Sequence, residues 1–106
     1  MLGVYTSHNR VDASGNPTGG EVRGIGLSID WQNGPLGRDG DRKAPNGAFV
    51  ETVIDAVIDR LKFYQDSKFK CEENHLAIGY LIAAAQVLDS RTKNREARKV
   101  EGTHAA

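Results

Sequence analysis

The glycines and prolines of this chain crowd into its first half, and that asymmetry constrains the fold more than any other feature. Ten of the twelve glycines and all three prolines lie at or before Gly47, and only Gly79 and Gly102 follow. Both residue types break helices and mark turns, so the first part reads as turns and short strands and the second as helix. The expected class is α+β. A small N-terminal antiparallel β region occupies residues 1–47, an antiparallel α-helical hairpin residues 48–101, and a short tail residues 102–106. At 106 residues these parts are expected to make a single domain with one modest core.

In the first part, Ile25, Leu27, Ile29 and Trp31 alternate with Gly26, Ser28 and Asp30. That period of two predicts a half-buried strand over 22–32, paired with a shorter strand over 3–6 through a connection at 12–20. Residues 33–47 are rich in glycine and proline and form a loop, a setting in which ligands approach the backbone closely. Helix one is expected from Ala48, capped by Asn46 or Gly47, with an apolar stripe of Val50, Ile54, Val57, Leu61 and Tyr64. It should end near Asp66 and Ser67. Helix two is expected from Glu72, whose carboxylate and that of Glu73 suit the positive end of the helix dipole. Ala77, Leu81, Ala84 and Leu88 form its buried stripe, and Gly102 is a natural stop. The hairpin is expected to lie against the small sheet.

Fourteen basic and fourteen acidic side chains give zero net charge, which argues against long nucleic acids and anionic membranes as partners. No run of about 18 apolar residues offers a membrane span. Cys71 is alone, so neither an internal disulfide nor a cysteine metal set is expected, in keeping with a reducing cytoplasm. The neutrality is nevertheless an average. Residues 90–99 carry Arg91, Lys93, Arg95, Arg98 and Lys99 against Glu96 alone, a local charge of +4.

On a helix, Arg91, Arg95 and Arg98 fall with Leu81, Ala84 and Leu88 inside an arc of about 100°. One explanation is that cations favour a helix C-terminus and pair with nearby carboxylates. The other is that the guanidinium groups grip a planar anion such as phosphate through paired hydrogen bonds. Tyr64 either ends the apolar stripe or stacks on a base. Asn74 either serves the first turn of helix two or reads a base edge or ribose hydroxyl. In one hairpin Asn74 and Arg91 are some 25 Å apart by helix rise, so all four residues can share a pocket only if two copies lie antiparallel.

Catalytic and metal expectations are negative. His8, His75 and His104 are scattered, and no nucleophile elbow, P-loop or metal-ligand spacing occurs. Asp55 and Asp59 sit one helical turn apart on a solvated face. A phosphodiesterase lacks an evident general base with an oriented partner. No catalytic residue, metal or cofactor is expected.

A family resemblance does emerge from particular residues: Asn46-Gly47, Glu51, Arg60-Leu61, Phe63-Tyr64-Gln65, Phe69, Cys71 and Glu73-Asn74. It continues through Leu88-Asp89-Ser90-Arg91-Thr92, Arg95 and Arg98 into Val100-Glu101-Gly102-Thr103-His104. Over residues 46–104 the chain resembles the phage Thoeris anti-defence protein 1 family, cyclic-nucleotide sponges sharing a helical hairpin with anti-CBASS sponges. The resemblance implies a non-enzymatic protein in the cytoplasm of an infected bacterium. It would sequester cyclic ADP-ribose-type signals (glycocyclic ADP-ribose) without cleaving them. It also implies a homo-oligomer, a dimer or a hexamer of dimers, and in some members a separate site for cyclic oligonucleotides. The implied ligand-binding residues are Tyr64, Asn74, Arg91 and Arg95; Arg98 is added from the helical face alone. The competing reading is a small phage interaction module that docks an acidic partner on its basic C-terminal helix.

Overall fold

The computed structural model describes residues 3–105. Three strands come first, β1 (Tyr5–Val11), β2 (Pro17–Gly24) and β3 (Leu27–Trp31), then a single 3-10 turn at Asp39–Asp41. Two helices follow, α1 (Val50–Gln65) and α2 (Glu72–Ala97). The chain is α+β, with an antiparallel sheet of order β1-β2-β3 and a helical hairpin. The residues group into two compact units, 3–49 with 99–105, and 50–98.

The expected strand over 22–32 is in fact the end of β2 and the whole of β3. Gly24 pairs with Leu27, so the chain reverses through the two residues Ile25 and Gly26. Gly26 takes a φ of +70°, a conformation open to glycine at little cost. Ile25, counted in the alternating pattern, is fully exposed at the tip of this turn. The short strand expected over 3–6 extends instead to Val11, with register running from Tyr5↔Gly24 to Asn9↔Gly20 and shifting before Val11↔Pro17. Asp12 organises the first turn. Its carboxylate accepts from the backbone N–H of Ser14 at 2.9 Å and of Asn16 at 3.0 Å, an Asx turn in which the side chain replaces a backbone partner.

After β3 the chain makes an excursion and returns to its own base. Ala48 N–H donates to the Asp30 carbonyl at 2.7 Å, and Gln32 N–H donates to the Ala48 carbonyl at 3.0 Å. Asn46, expected as a helix cap, is used here instead. Its Oδ1 accepts from Asn33 N–H at 2.8 Å and its Nδ2 donates to the Asn33 carbonyl at 3.0 Å. Gly47 lies so close that a Cβ would meet the Trp31 carbonyl at 2.5 Å.

The far side of this loop holds the C-terminal segment. Gly37 N–H donates to the Gly102 carbonyl at 2.8 Å, and Arg38 Nη1 donates to the Glu101 carbonyl at 2.9 Å. Arg42 Nη1 reaches both Glu101 carboxylate oxygens, at 2.9 and 2.7 Å. Helix α2 therefore ends earlier than Gly102 suggests, at Ala97, and Lys99 turns the chain with a φ of +59°.

In the hairpin, the inward stripe of α1 is Glu51, Ile54, Ile58, Leu61 and Gln65, and that of α2 is Asn74, Ala77, Ile78, Leu81, Ala85, Leu88, Thr92 and Arg95; all are half-buried except the buried Ile58. Positions three and four apart recur, as in helices packed along a shallow crossing. Of the stripe expected on α1, Ile54, Leu61 and Tyr64 are half-buried as expected, whereas Val50 and Val57 are 50% and 43% exposed and Ile58 is buried instead. Polar residues, Glu51 and Gln65, occupy the ends of the true stripe, which is why an apolar criterion misses them.

Candidate functional site

The bend of the hairpin is built by Gln65. Its Oε1 accepts from Cys71 N–H and its Nε2 donates to the Cys71 carbonyl, both at 3.0 Å. Ser67 Oγ donates to the Tyr64 carbonyl at 2.6 Å and accepts from Phe69 N–H at 3.1 Å. An open concavity of about 350 Å³ lies here, lined by Gln65, Lys70, Cys71, Glu72 and His75.

Two of the expected site residues stand at this end. Tyr64, in the last turn of α1, is half-buried. Its ring lies 5.8 Å from that of Phe63 at an angle of 59°. Asn74, in the first turn of α2, is half-buried and its Nδ2 reaches the Phe69 carbonyl at 3.5 Å. Arg60 joins the group through its guanidinium carbon, 4.7 Å from the Phe63 centroid and 4.9 Å from that of Tyr64. Arg60 belongs to the residues that carry the family resemblance but is not among the ligand-binding residues expected from the sequence. The signal was its position three and four residues before the two aromatics, the spacing that puts side chains together on a helix.

The arginines occupy the other end. Arg91 Nη2 lies 3.3 Å from Glu51 Oε1, beside the start of α1. Helix rise separates it from Asn74 by about 25 Å, so one chain does not bring the two groups together. Arg95 alone of the three continues the inward stripe and is half-buried, while Arg91 and Arg98 are exposed. Arg98 Nε donates to Asn94 Oδ1 at 3.0 Å. The split follows the helical face, since Arg95 falls in line with Leu81, Leu88 and Thr92 at about 100° per residue while Arg91 and Arg98 fall to the side of that line. Helix α1 has 16 residues and α2 has 26, so the last two turns of α2 run past the start of α1.

Among the described residues no three His, Cys, Asp or Glu side chains gather as a metal-binding group. Nor, among those residues, is any helix long and apolar enough to cross a membrane. One side of α2 exposes apolar side chains. Leu76, Tyr80 and Val87 lie 48%, 74% and 68% exposed along one side of α2.

These features define a small α+β protein built on a helical hairpin, with aromatic and amide side chains at its bend and arginines toward its other end. Comparison with known proteins places it further. No family model matches the chain. The Thoeris anti-defense 1 protein of Bacillus phage SBSphiJ7 is 43% identical over 77 residues, 73% of this chain and 51% of that relative. The chain belongs to the Thoeris anti-defence 1 family, and it spans about half the length of the curated relative it matches.

Proposed function

We propose that this protein counters Thoeris anti-phage defence as a sponge, holding a cyclic ADP-ribose-type signal such as glycocyclic ADP-ribose without cleaving it, in the cytoplasm of the infected host. The observation that carries the anti-Thoeris part of this reading is the 43% identity to a phage protein named Thoeris anti-defense 1. Tyr64 stacks on the adenine, Asn74 meets a base edge or ribose hydroxyl, and Arg91 and Arg95 take the diphosphate, with Arg98 nearby. Nanomolar capture needs about −12 kcal/mol. Charge-assisted contacts worth roughly 1.5–3 kcal/mol each and a stack worth about 1–3 make that total reachable.

The pocket in this reading is shared between copies. Two hairpins lying antiparallel bring the Arg91 and Arg95 of one beside the Tyr64 and Asn74 of the other. The apolar side chains along α2 and the hairpin's single buried hydrophobic residue among those described, Ile58, favour such a dimer, since a hairpin with so small a core gains stability by covering its outer face. Dimers of this kind are also the unit from which a hexamer would grow, with room for a second cyclic-oligonucleotide site.

The deciding experiment loads the protein with glycocyclic ADP-ribose, denatures it by heat and analyses the released nucleotide. Intact cyclic nucleotide is expected. Recovery of a linear product overturns the sponge in favour of an enzyme. No detectable loading overturns it in favour of a module whose basic helix docks an acidic partner.

A further inference from the structure

Arg60 differs from Arg10, Arg23, Arg38, Arg42, Arg91 and Arg98 in what it touches. Arg10, Arg23, Arg42 and Arg91 each face a carboxylate, Arg38 donates to a backbone carbonyl and Arg98 donates to an asparagine oxygen. Among the described residues Arg60 makes no hydrogen bond and no ion pair. Its guanidinium rests instead against two rings, 4.7 Å from the Phe63 centroid and 4.9 Å from the Tyr64 centroid.

That environment leaves the chemistry of the group unspent. An aromatic face attracts a cation without neutralising it, and it engages none of the in-plane N–H donors. A carboxylate partner, by contrast, would occupy the fork that grips phosphate. The two rings also restrict a side chain that otherwise loses substantial rotamer freedom on binding, which lowers the entropic cost of a contact. Arg60 is exposed and Phe63 is 57% exposed, so an incoming ligand meets both at once. The result is a cation aimed at solvent, beside a stacking surface, at the end of the hairpin that carries Tyr64 and Asn74.

We infer that Arg60 is a further ligand-binding residue, which donates to the phosphoryl oxygens of a nucleotide whose base stacks on the neighbouring ring. The inference rests on the sponge reading and sharpens it, because it puts a phosphate contact in the same chain as the stacking aromatic. The diphosphate is then held from both sides, by Arg60 at the bend and by arginines from the end of a second copy.

The test is calorimetric titration of glycocyclic ADP-ribose into wild type, Arg60→Gln and Arg60→Lys at low and high salt, with circular dichroism to verify the fold. Arg60→Gln should bind about tenfold to a hundredfold more weakly, and its affinity should depend less on salt because one screened ion pair is gone. Arg60→Lys should regain the salt dependence. Arg60→Gln binding with wild-type affinity overturns this inference and leaves the sponge intact. Weaker binding with an unchanged salt dependence also overturns it, since the residue then acts through packing alone. Failure of the wild type to bind overturns the sponge and this inference together.

Discussion

Arg91 shows how one side chain's structural and functional weights come apart. Its ion pair with Glu51 is 3.3 Å long and its side chain is 61% exposed, so the pair is worth at most about 1 kcal/mol. Arg91→Ala should therefore lower unfolding free energy by no more than that in urea, while weakening glycocyclic ADP-ribose binding at least tenfold. Equal effects on both measurements would refute the assigned role. Gly47 is the opposite case, with no chemistry and no tolerance. Gly47→Ala forces a methyl into the Trp31 carbonyl and should cost roughly 1–3 kcal/mol, read by Trp31 fluorescence during denaturation. Gly40→Ala meets nothing within 4 Å and should stay within about 0.5 kcal/mol of wild type. Carboxylates in the sheet set an acid limit. Hydrogen bonds from Asn16 hold Asp12 below the usual carboxylate range, and the Arg10 hydrogen bond does the same for Glu21. A carboxyl whose native pKa is depressed adds stability above its unfolded value and loses it as pH falls through the native one. The sheet should weaken below about pH 4, and Asp12→Asn should flatten that acid limb in melts followed against pH.

At the scale of elements, the bend is the most specific piece of construction. Gln65 bonds both the N–H and the carbonyl of Cys71, the N-cap residue of α2, whose carbonyl also accepts from His75 N–H. Gln65→Ala should lower hairpin stability by about 1–3 kcal/mol, the cost of leaving the part-buried Cys71 N–H without its partner, visible as an earlier loss of helical circular dichroism. Elements also differ in how openly the sequence declares them. The change in glycine and proline content marked the boundary between sheet and hairpin, and the 3.6-residue period marked both helices. The β2–β3 hairpin escaped because Ile25, Leu27, Ile29 and Trp31 alternate straight across its turn, and one positive φ at Gly26 undoes the inference. The polar ends of the α1 stripe escaped for a different reason: Glu51 and Gln65 look like surface residues until their partners, 40 and 6 residues away, are known.

For the whole molecule, the same limit governs the candidate site. Residue type and position left two readings open for each of Tyr64, Asn74, Arg91 and Arg95, and the hairpin sets them at opposite ends, so the proposed shared site requires an assembly. That assembly is testable on its own. The apolar side of α2 should make sedimentation and melting temperature depend on protein concentration. Val87→Glu should shift the protein toward monomer and weaken nucleotide binding together. A monomeric wild type that still binds tightly would separate the pocket from the dimer.

The clasp between residues 37–42 and 101–102 has a consequence for synthesis. Arg42 and Glu101 are 59 residues apart in sequence, and the whole hairpin is translated between them. At the usual rate of about 5–20 residues per second, the loop waits roughly 3–12 s for the carboxylate that holds it. During that interval the loop has strand β3 and Asn46 at its base but nothing across its far side. A nascent chain arrested after Arg98 should accordingly be cut by protease within residues 34–43, and one released with Glu101 and Gly102 in place should resist. The N-terminal unit is begun first and completed last, with the helices already made.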